Sequence, residues 1–280
     1  MSTPLSSPEP ARTSAPDSPR GRAIADAAAA VIPGGVNSST RYIGAPYAFV
    51  AADGAYLTDA DGRRYLDYHA AFGAILLGHN APVVNDAIRA ALDGVDLTGI
   101  GVTEAEVRLA ERIVEVIPSA ESMIATTSGS EATAQAIRLA RAVTDRDLIV
   151  KFQGGFHGWH DAVARNVIST AERAYGRDPL SKGILDQAVD ATLIAEFNDL
   201  DSVAALFDTH RDRIAAVILE PIPHNVGALL PTTEFVEGLR ELTRERGALL
   251  IFDEVITGFR HALGGYQQVI GVTPDLTTFG

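Results

Sequence analysis

Four stretches of this chain place carboxylates, hydroxyls, glycines and aromatics directly behind short apolar runs. After residues 248–252 comes Asp253-Glu254-Val255-Ile256-Thr257-Gly258, and after residues 215–219 comes Glu220-Pro221-Ile222-Pro223-His224-Asn225. A carboxylate that ends an apolar run is costly to bury unless a cation or a proton donor meets it, which makes Asp253 the most informative single residue. Its bland reading is a helix cap or a partner for Arg260. After residues 148–152 comes Gly154-Gly155-Phe156-His157-Gly158-Trp159-His160-Asp161. Glycines around an aromatic and a histidine suit a loop that lets a flat ligand approach, with Phe156 as a stacking face. His157, His160 and Asp161 fall short of a recognisable zinc pattern, so no metal is assigned. After residues 122–126 comes Thr127-Ser128-Gly129-Ser130-Glu131-Ala132, which opens a helix. Free N–H groups at a helix start favour a phosphate, and Ser128 and Ser130 add hydroxyls. The competing reading is a plain Ser128 N-cap with Glu131 as a first-turn acid.

The elements that must position these residues alternate regularly. Helical periodicity is predicted over residues 82–92, 104–117, 131–143, 201–209 and 233–246. Between them lie short apolar runs at 122–126, 148–152, 192–197, 215–219, 248–252 and 276–279. These runs are mostly continuous rather than alternating, as in strands covered on both faces. The fold class is therefore α/β, a mainly parallel sheet sandwiched by helices. Ligands of such sheets bind beyond the carboxyl ends of the strands, where all four motifs stand. Ahead of this lies a small antiparallel sheet predicted from strand-like runs at 47–52, 54–59 and 64–68, with a turn at Asp61-Gly62. The expected organisation is a Ser/Pro-rich disordered tail over 1–20, an N-terminal segment over 21–75 and a large domain over 76–280.

Composition excludes several functions. The chain has 280 residues, 46% of them hydrophobic, enough for a sizeable core. With 23 Lys and Arg against 36 Asp and Glu, its formal charge of −13 argues against nucleic-acid and anionic-membrane partners. No cysteine is present, which removes disulfides, thiolate metal sites and cysteine nucleophiles. No apolar run reaches membrane-spanning length, and the first twenty residues lack the apolar core of a signal peptide, so a cytoplasmic location is expected.

Taken together the motifs resemble the fold-type I, class III pyridoxal-phosphate-dependent aminotransferases, in particular their glutamate-1-semialdehyde aminomutase branch. The likeness runs from about Pro33 to Gly280. It rests on Pro33-Gly34-Gly35-Val36-Asn37-Ser38 with Arg41, Tyr65-Leu66-Asp67-Tyr68, Gly78-His79-Asn80, and the four motifs above, together with Pro274-Asp275-Leu276-Thr277-Thr278-Phe279-Gly280. The resemblance implies pyridoxal 5'-phosphate as cofactor. It implies that Gly129 and Ser130, with Ser128, hold the phosphate, that Phe156 covers one ring face with His157 beside it, and that Val255 packs on the other. Asp253 would meet the pyridine nitrogen and keep it protonated, which makes the ring an electron sink. Asn225 would approach the ring hydroxyl and Glu220 would support that edge. Ser38, Arg41 and Phe72 fall where the family recognises substrate, and a guanidinium there can grip a carboxylate at two points.

The resemblance also places the Schiff-base lysine immediately after Gly280, so the sequence is expected to be cut short there, at a modified lysine or a fragment boundary. Lys151 and Lys182, the only lysines present, do not match that position. Ala70-Ala71-Phe72-Gly73 departs from the aminomutase pattern, and residues 166–190 lack its Gly/Thr/Pro-rich loop. The expected function is therefore an aminotransferase moving an amino group between a carboxylate-bearing amine or amino acid and an oxo acid. An aminomutase is the first alternative and a non-catalytic cofactor-binding fragment or pseudoenzyme the second. A homodimer, with the apolar segment 72–77 as a contact, is implied by the same resemblance.

Overall fold

The computed structural model describes residues 19–42, 47–167 and 181–280. Most of the predicted tail, and much of the segment 166–190, lie outside the described residues. The chain divides into two compact units, one reaching to Leu97 and one running from Thr98 to Gly280. The division falls at 97/98 rather than 75/76. Residues 79 and 80 are tied back to the first unit: Gly54 and His79 exchange both backbone hydrogen bonds, and Asn80 Nδ2 donates to Ala52 O at 2.6 Å.

In the first unit, helix α1 (Pro19–Val31) opens on a proline, which is well tolerated at a first helical position. Strands β1 (Phe49–Asp53), β2 (Tyr56–Asp59) and β3 (Arg64–Leu66) form the predicted antiparallel sheet in sequential order. Asp59 closes the β2–β3 turn, accepting from Asp61 N, Arg63 N and the Tyr65 hydroxyl at 2.9–3.0 Å. Helix α2 (Pro82–Leu92) follows.

The second unit is the α/β domain. Helix α3 (Glu104–Val116) opens with a capping box between Thr103 and Glu106. Helix α4 (Gly129–Thr144) precedes β4 (Leu148–Phe152). Then come α5 (Asp186–Asp190), β5 (Thr192–Ala195), α6 (Leu200–Thr209), β6 (Ile214–Leu219), α7 (Thr233–Arg246), β7 (Leu249–Glu254), α8 (Gly265–Ile270) and β8 (Leu276–Phe279). The five strands are parallel, in the order β5-β4-β6-β7-β8. The continuous apolar runs split by period two. Leu148, Val150, Phe152, Val217, Leu219, Leu250 and Phe252 pack with Phe207, Phe235 and Leu239 of α6 and α7. Ile149, Ala216, Ile218 and Ile251 pack on the other face with Ala136, Ile137 and Ala140 of α4. Helices therefore cover both faces, as the run composition required.

One predicted strand is absent. Residues 122–126 take no ladder position and no regular secondary structure, and Ile124 is exposed. The apolar pattern was read correctly, but a strand exists only where a neighbour accepts its backbone hydrogen bonds. The strand over 248–252 is instead longer at its carboxyl end, so that Asp253 and Glu254 belong to β7 itself.

Candidate active site

Parallel strands bring the carboxyl ends of β4, β6, β7 and β8 to one edge, and the motif residues gather there. Asp253 is buried at the end of β7, opposite Thr278 in the ladder. Its Oδ1 accepts from the Thr278 hydroxyl at 3.0 Å and from Val255 N at 3.2 Å. Its Oδ2 lies 2.8 Å from His157 Nδ1. A carboxylate cannot donate, so Nδ1 carries the proton of that bond. His157 Nε2 is buried without a partner among the described residues. A carboxylate accepts about four hydrogen bonds, and three are used, so Asp253 retains capacity for one more donor.

Glu220, just past β6, sits beside this pair. Its Oε1 accepts from Phe156 N at 2.7 Å, which ties the β4 loop to the end of β6. Burial raises the Glu220 pKa, opposed by His157 and the Phe156 amide, with Asp253 adding a further push upward. Phe156 and Trp159 meet edge-on with centroids 5.2 Å apart.

The start of α4 completes the cluster. Ser128 Oγ caps the helix by accepting from Glu131 N at 3.2 Å, and Glu131 Oε2 reaches back to Thr127 N at 2.8 Å. The Ser128 hydroxyl is thus engaged as the N-cap that the bland reading anticipated. Gly129 N and Ser130 N lie in the first turn, where no intrahelical acceptor exists, so a ligand anion can take them. A Cβ on Gly129 would stand 3.1 Å from a Val255 methyl, and one on Gly280 would stand 3.0 Å from Val255 Cγ1. The helix start, Val255 and the end of β8 therefore converge within van der Waals reach.

Two further contacts lock the β4 loop onto α4. Ser130 Oγ accepts from Trp159 N at 3.2 Å, and Gly158, at φ +105°, passes so close that a Cβ there would overlap Ser130 Oγ and lie 2.7 Å from its Cα. The buried Thr133 hydroxyl lies 2.6 Å from His157 O and 3.2 Å from His160 Nε2. With one proton to give, it donates to the carbonyl, so His160 Nε2 carries hydrogen and donates to Thr133. Burial, then the nearby His157, lowers the His160 pKa to about 4, keeping that ring neutral. His157 and His160 are thus spoken for separately, by Asp253 and Thr133, and do not converge on one point with Asp161. Among the described residues no group of three His, Asp or Glu side chains is placed to hold a metal ion.

The remaining predicted residues are less tightly placed. Asn225 is exposed in a 3-10 turn, His224–Val226, whose Val226 packs against Gly154. Ser38, Arg41 and Phe72 belong to the first unit. Ser38 O accepts from Arg41 N at 2.9 Å, and the Arg41 side chain is exposed. Phe72 lies in a left-handed turn in which Ala70, Ala71, Phe72 and Gly73 have φ of 46°, 52°, 58° and 85°. That turn is held by Asp67, which accepts from His69 N and Ala70 N and pairs with His79 Nε2 at 2.8 Å. His69 Nδ1 accepts from Phe72 N at 3.1 Å. Thr278 was quoted only within the 274–280 motif, and sequence reasoning did not single out Thr133, Ser119 or Gln267. The last two, with Thr277 and Tyr266 N, build a buried network around Glu254, whose carboxylate accepts from Thr257, Tyr266 N, Gln267 N and Gln267 Nε2. A threonine at a buried β-strand position is the only available signal for Thr278.

Residues 38–280 match the aminotransferase class-III family, and the chain belongs to it. The chain is 48% identical over 253 residues to a glutamate-1-semialdehyde 2,1-aminomutase of Syntrophobacter fumaroxidans, covering 89% of this chain and 58% of that protein. It superposes on an omega-transaminase from Sphaerobacter thermophilus with a TM-score of 0.87 at 38% identity, covering 95% of this chain and 61% of that one. A transaminase solved with PLP bound matches with a TM-score of 0.84 at 31% identity, over 92% of this chain and 60% of that one. The chain thus spans about three-fifths of the length of these relatives. The expected fold class, a fold-type I transferase sheet with a small antiparallel addition, is the one observed.

Proposed function

We propose that the full-length protein is a pyridoxal 5'-phosphate-dependent aminotransferase that moves an amino group between a carboxylate-bearing amine or amino acid and an oxo acid. The observation that carries this is the convergence of Asp253, Val255, the start of α4 and Gly280 at one sheet edge. The residues fit the cofactor chemically: first-turn amides for a phosphate, a buried carboxylate with spare accepting capacity for a ring N–H, and aromatic and aliphatic side chains for ring faces.

When bound, pyridoxal phosphate supplies an electron-accepting ring for charge that develops at the amino-bearing carbon of the substrate. Gly129 N and Ser130 N bind the phosphate, with the α4 dipole favouring the anion. Asp253 holds a proton on the ring nitrogen, and His157 and Thr278 orient the carboxylate. Phe156 and Val255 exclude water from the two ring faces, with Gly129 leaving room for Val255. Glu220 fixes the Phe156 backbone, and Asn225 serves the ring hydroxyl edge. By resemblance to the family, exchange of the substrate proton would fall to a lysine outside residues 1–280, and recognition of the substrate to Ser38, Arg41 and Phe72 of the first unit.

A second reading is favoured by the 48% identity to a glutamate-1-semialdehyde 2,1-aminomutase: an amino group moved within one molecule. Incubation with amino donors and 2-oxo acids separates the two. A transaminase converts an external acceptor stoichiometrically, whereas a mutase isomerises its substrate with no net acceptor consumed. A homodimer is part of the same proposal, supported by the exposure of Phe72, Leu76 and Leu77 at 49, 53 and 66%. Sedimentation tests it. A cytoplasmic location belongs to the same proposal and is tested by fractionation.

A further inference from the structure

Lys151 is wholly buried in the interior strand β4, next to the edge strand β5, where its neighbours Leu148, Ile149, Val150 and Phe152 are all apolar. By alternation its side chain shares the α4 face with Ile149. A buried ammonium is retained at a cost of several kcal/mol unless its protons are used, so its contacts are informative. Nζ donates to the carbonyl of Arg165. The Arg165 guanidinium in turn donates to Val189 O at 2.8 Å and Thr192 O at 2.6 Å. Beside it, Asn166 is fully buried at φ 52°. Its carbonyl accepts from Gly154 N at 2.7 Å, and its Nδ2 donates to Gln153 Oε1 at 2.9 Å.

These bonds join both ends of one loop. Residues 153 and 154 leave β4, residues 165 and 166 return, and the stretch between carries Phe156, His157, Gly158, Trp159 and His160. We propose that Lys151, with Asn166, is a positioning residue that clamps the base of this loop and thereby sets Phe156 and His157 against the cofactor. The inference that the clamp matters for the cofactor rests on the pyridoxal-phosphate reading; the clamp itself does not.

The test uses the full-length protein and its Lys151→Met, Lys151→Arg and Asn166→Gly variants; glycine keeps the φ of residue 166 and removes only its side chain. In cofactor-free protein, hydrogen exchange at residues 154–160 is expected to quicken at least about tenfold in Lys151→Met and Asn166→Gly, while β6 and β7 keep their protection. Unchanged exchange in the loop overturns the clamp. In loaded protein, the Kd for pyridoxal phosphate is expected to rise about tenfold, the visible circular dichroism of the bound cofactor to fall, and Lys151→Arg to recover part of both. Wild-type Kd and dichroism in variants that merely melt earlier overturn the positioning role. Should Lys151→Met fail to fold, Asn166→Gly decides. Failure of the wild type to bind pyridoxal phosphate counts against the functional reading instead, and the exchange result still decides the clamp.

Discussion

His157 Nδ1 stands 2.8 Å from Asp253 Oδ2, with both side chains out of solvent. The pair joins the loop after β4 to the end of β7, and Thr278 completes it from β8. The loop after β4, the end of β7 and strand β8 therefore all contribute to fixing one carboxylate.

Asp253→Asn keeps the shape of this group and removes its charge. Aminotransferase turnover is expected to fall by at least about a thousandfold, equivalent to about 4 kcal/mol of barrier. Steady-state kinetics on cofactor-saturated protein measures it, and a loss under tenfold would remove Asp253 from the proposed role. Phosphate affinity, which depends on α4, should change far less.

Gly158→Ala introduces a Cβ into Ser130 at a backbone φ of +105°. Because the opposing atoms include backbone, the loop must lift from α4. A destabilisation of about 2–3 kcal/mol is expected in urea unfolding, with weakened cofactor binding. An unchanged midpoint would show that the loop and helix do not pack as described.

His160 gives the domain an acid sensitivity. In the unfolded chain the ring takes a proton near pH 6.5, whereas burial holds its folded pKa at about 4. The contribution of the neutral ring is complete above pH 6.5 and is lost as pH falls from there towards 4. At about 1.4 kcal/mol per pH unit the ceiling is about 3 kcal/mol, cut to roughly 1–2 by the partial exposure of the ring. His160→Gln is therefore expected to lose less stability than wild type between pH 7 and pH 5. Parallel denaturation slopes in that interval would contradict this.

The left-handed turn over Ala70–Gly73 holds three non-glycine residues at positive φ, each costing about 1–2 kcal/mol. Ala71→Gly is expected to raise stability by about 1 kcal/mol, read from the thermal midpoint. A fall would mean that the Ala71 methyl contributes packing that outweighs its strain.

Much of this was legible in the sequence for physical reasons. The runs 148–152 and 215–219 are apolar at every position but Lys151, so only a doubly covered parallel sheet could bury them, and the residues behind them had to meet at one edge. Asp253 announced itself by the cost of burying a carboxylate. The partners of these groups were hidden, because the contacts Thr278–Asp253, Thr133–His160 and Ser130–Gly158 join residues 25 to 28 positions apart through the fold. Residues 122–126 were misread because an apolar pattern specifies extended chain without specifying a neighbour. Lys151 was noted only as a lysine out of place, although its burial makes it informative.

The most direct measurement is the site of covalent capture of pyridoxal phosphate. The full-length protein is loaded with the cofactor, treated with borohydride, digested and mapped by mass. The reduced cofactor is expected on a lysine outside residues 1–280, with labelling weakened in Asp253→Ala. Labelling of Lys151 or Lys182, or no labelling at all, would contradict the site built around Asp253, Val255 and Gly280.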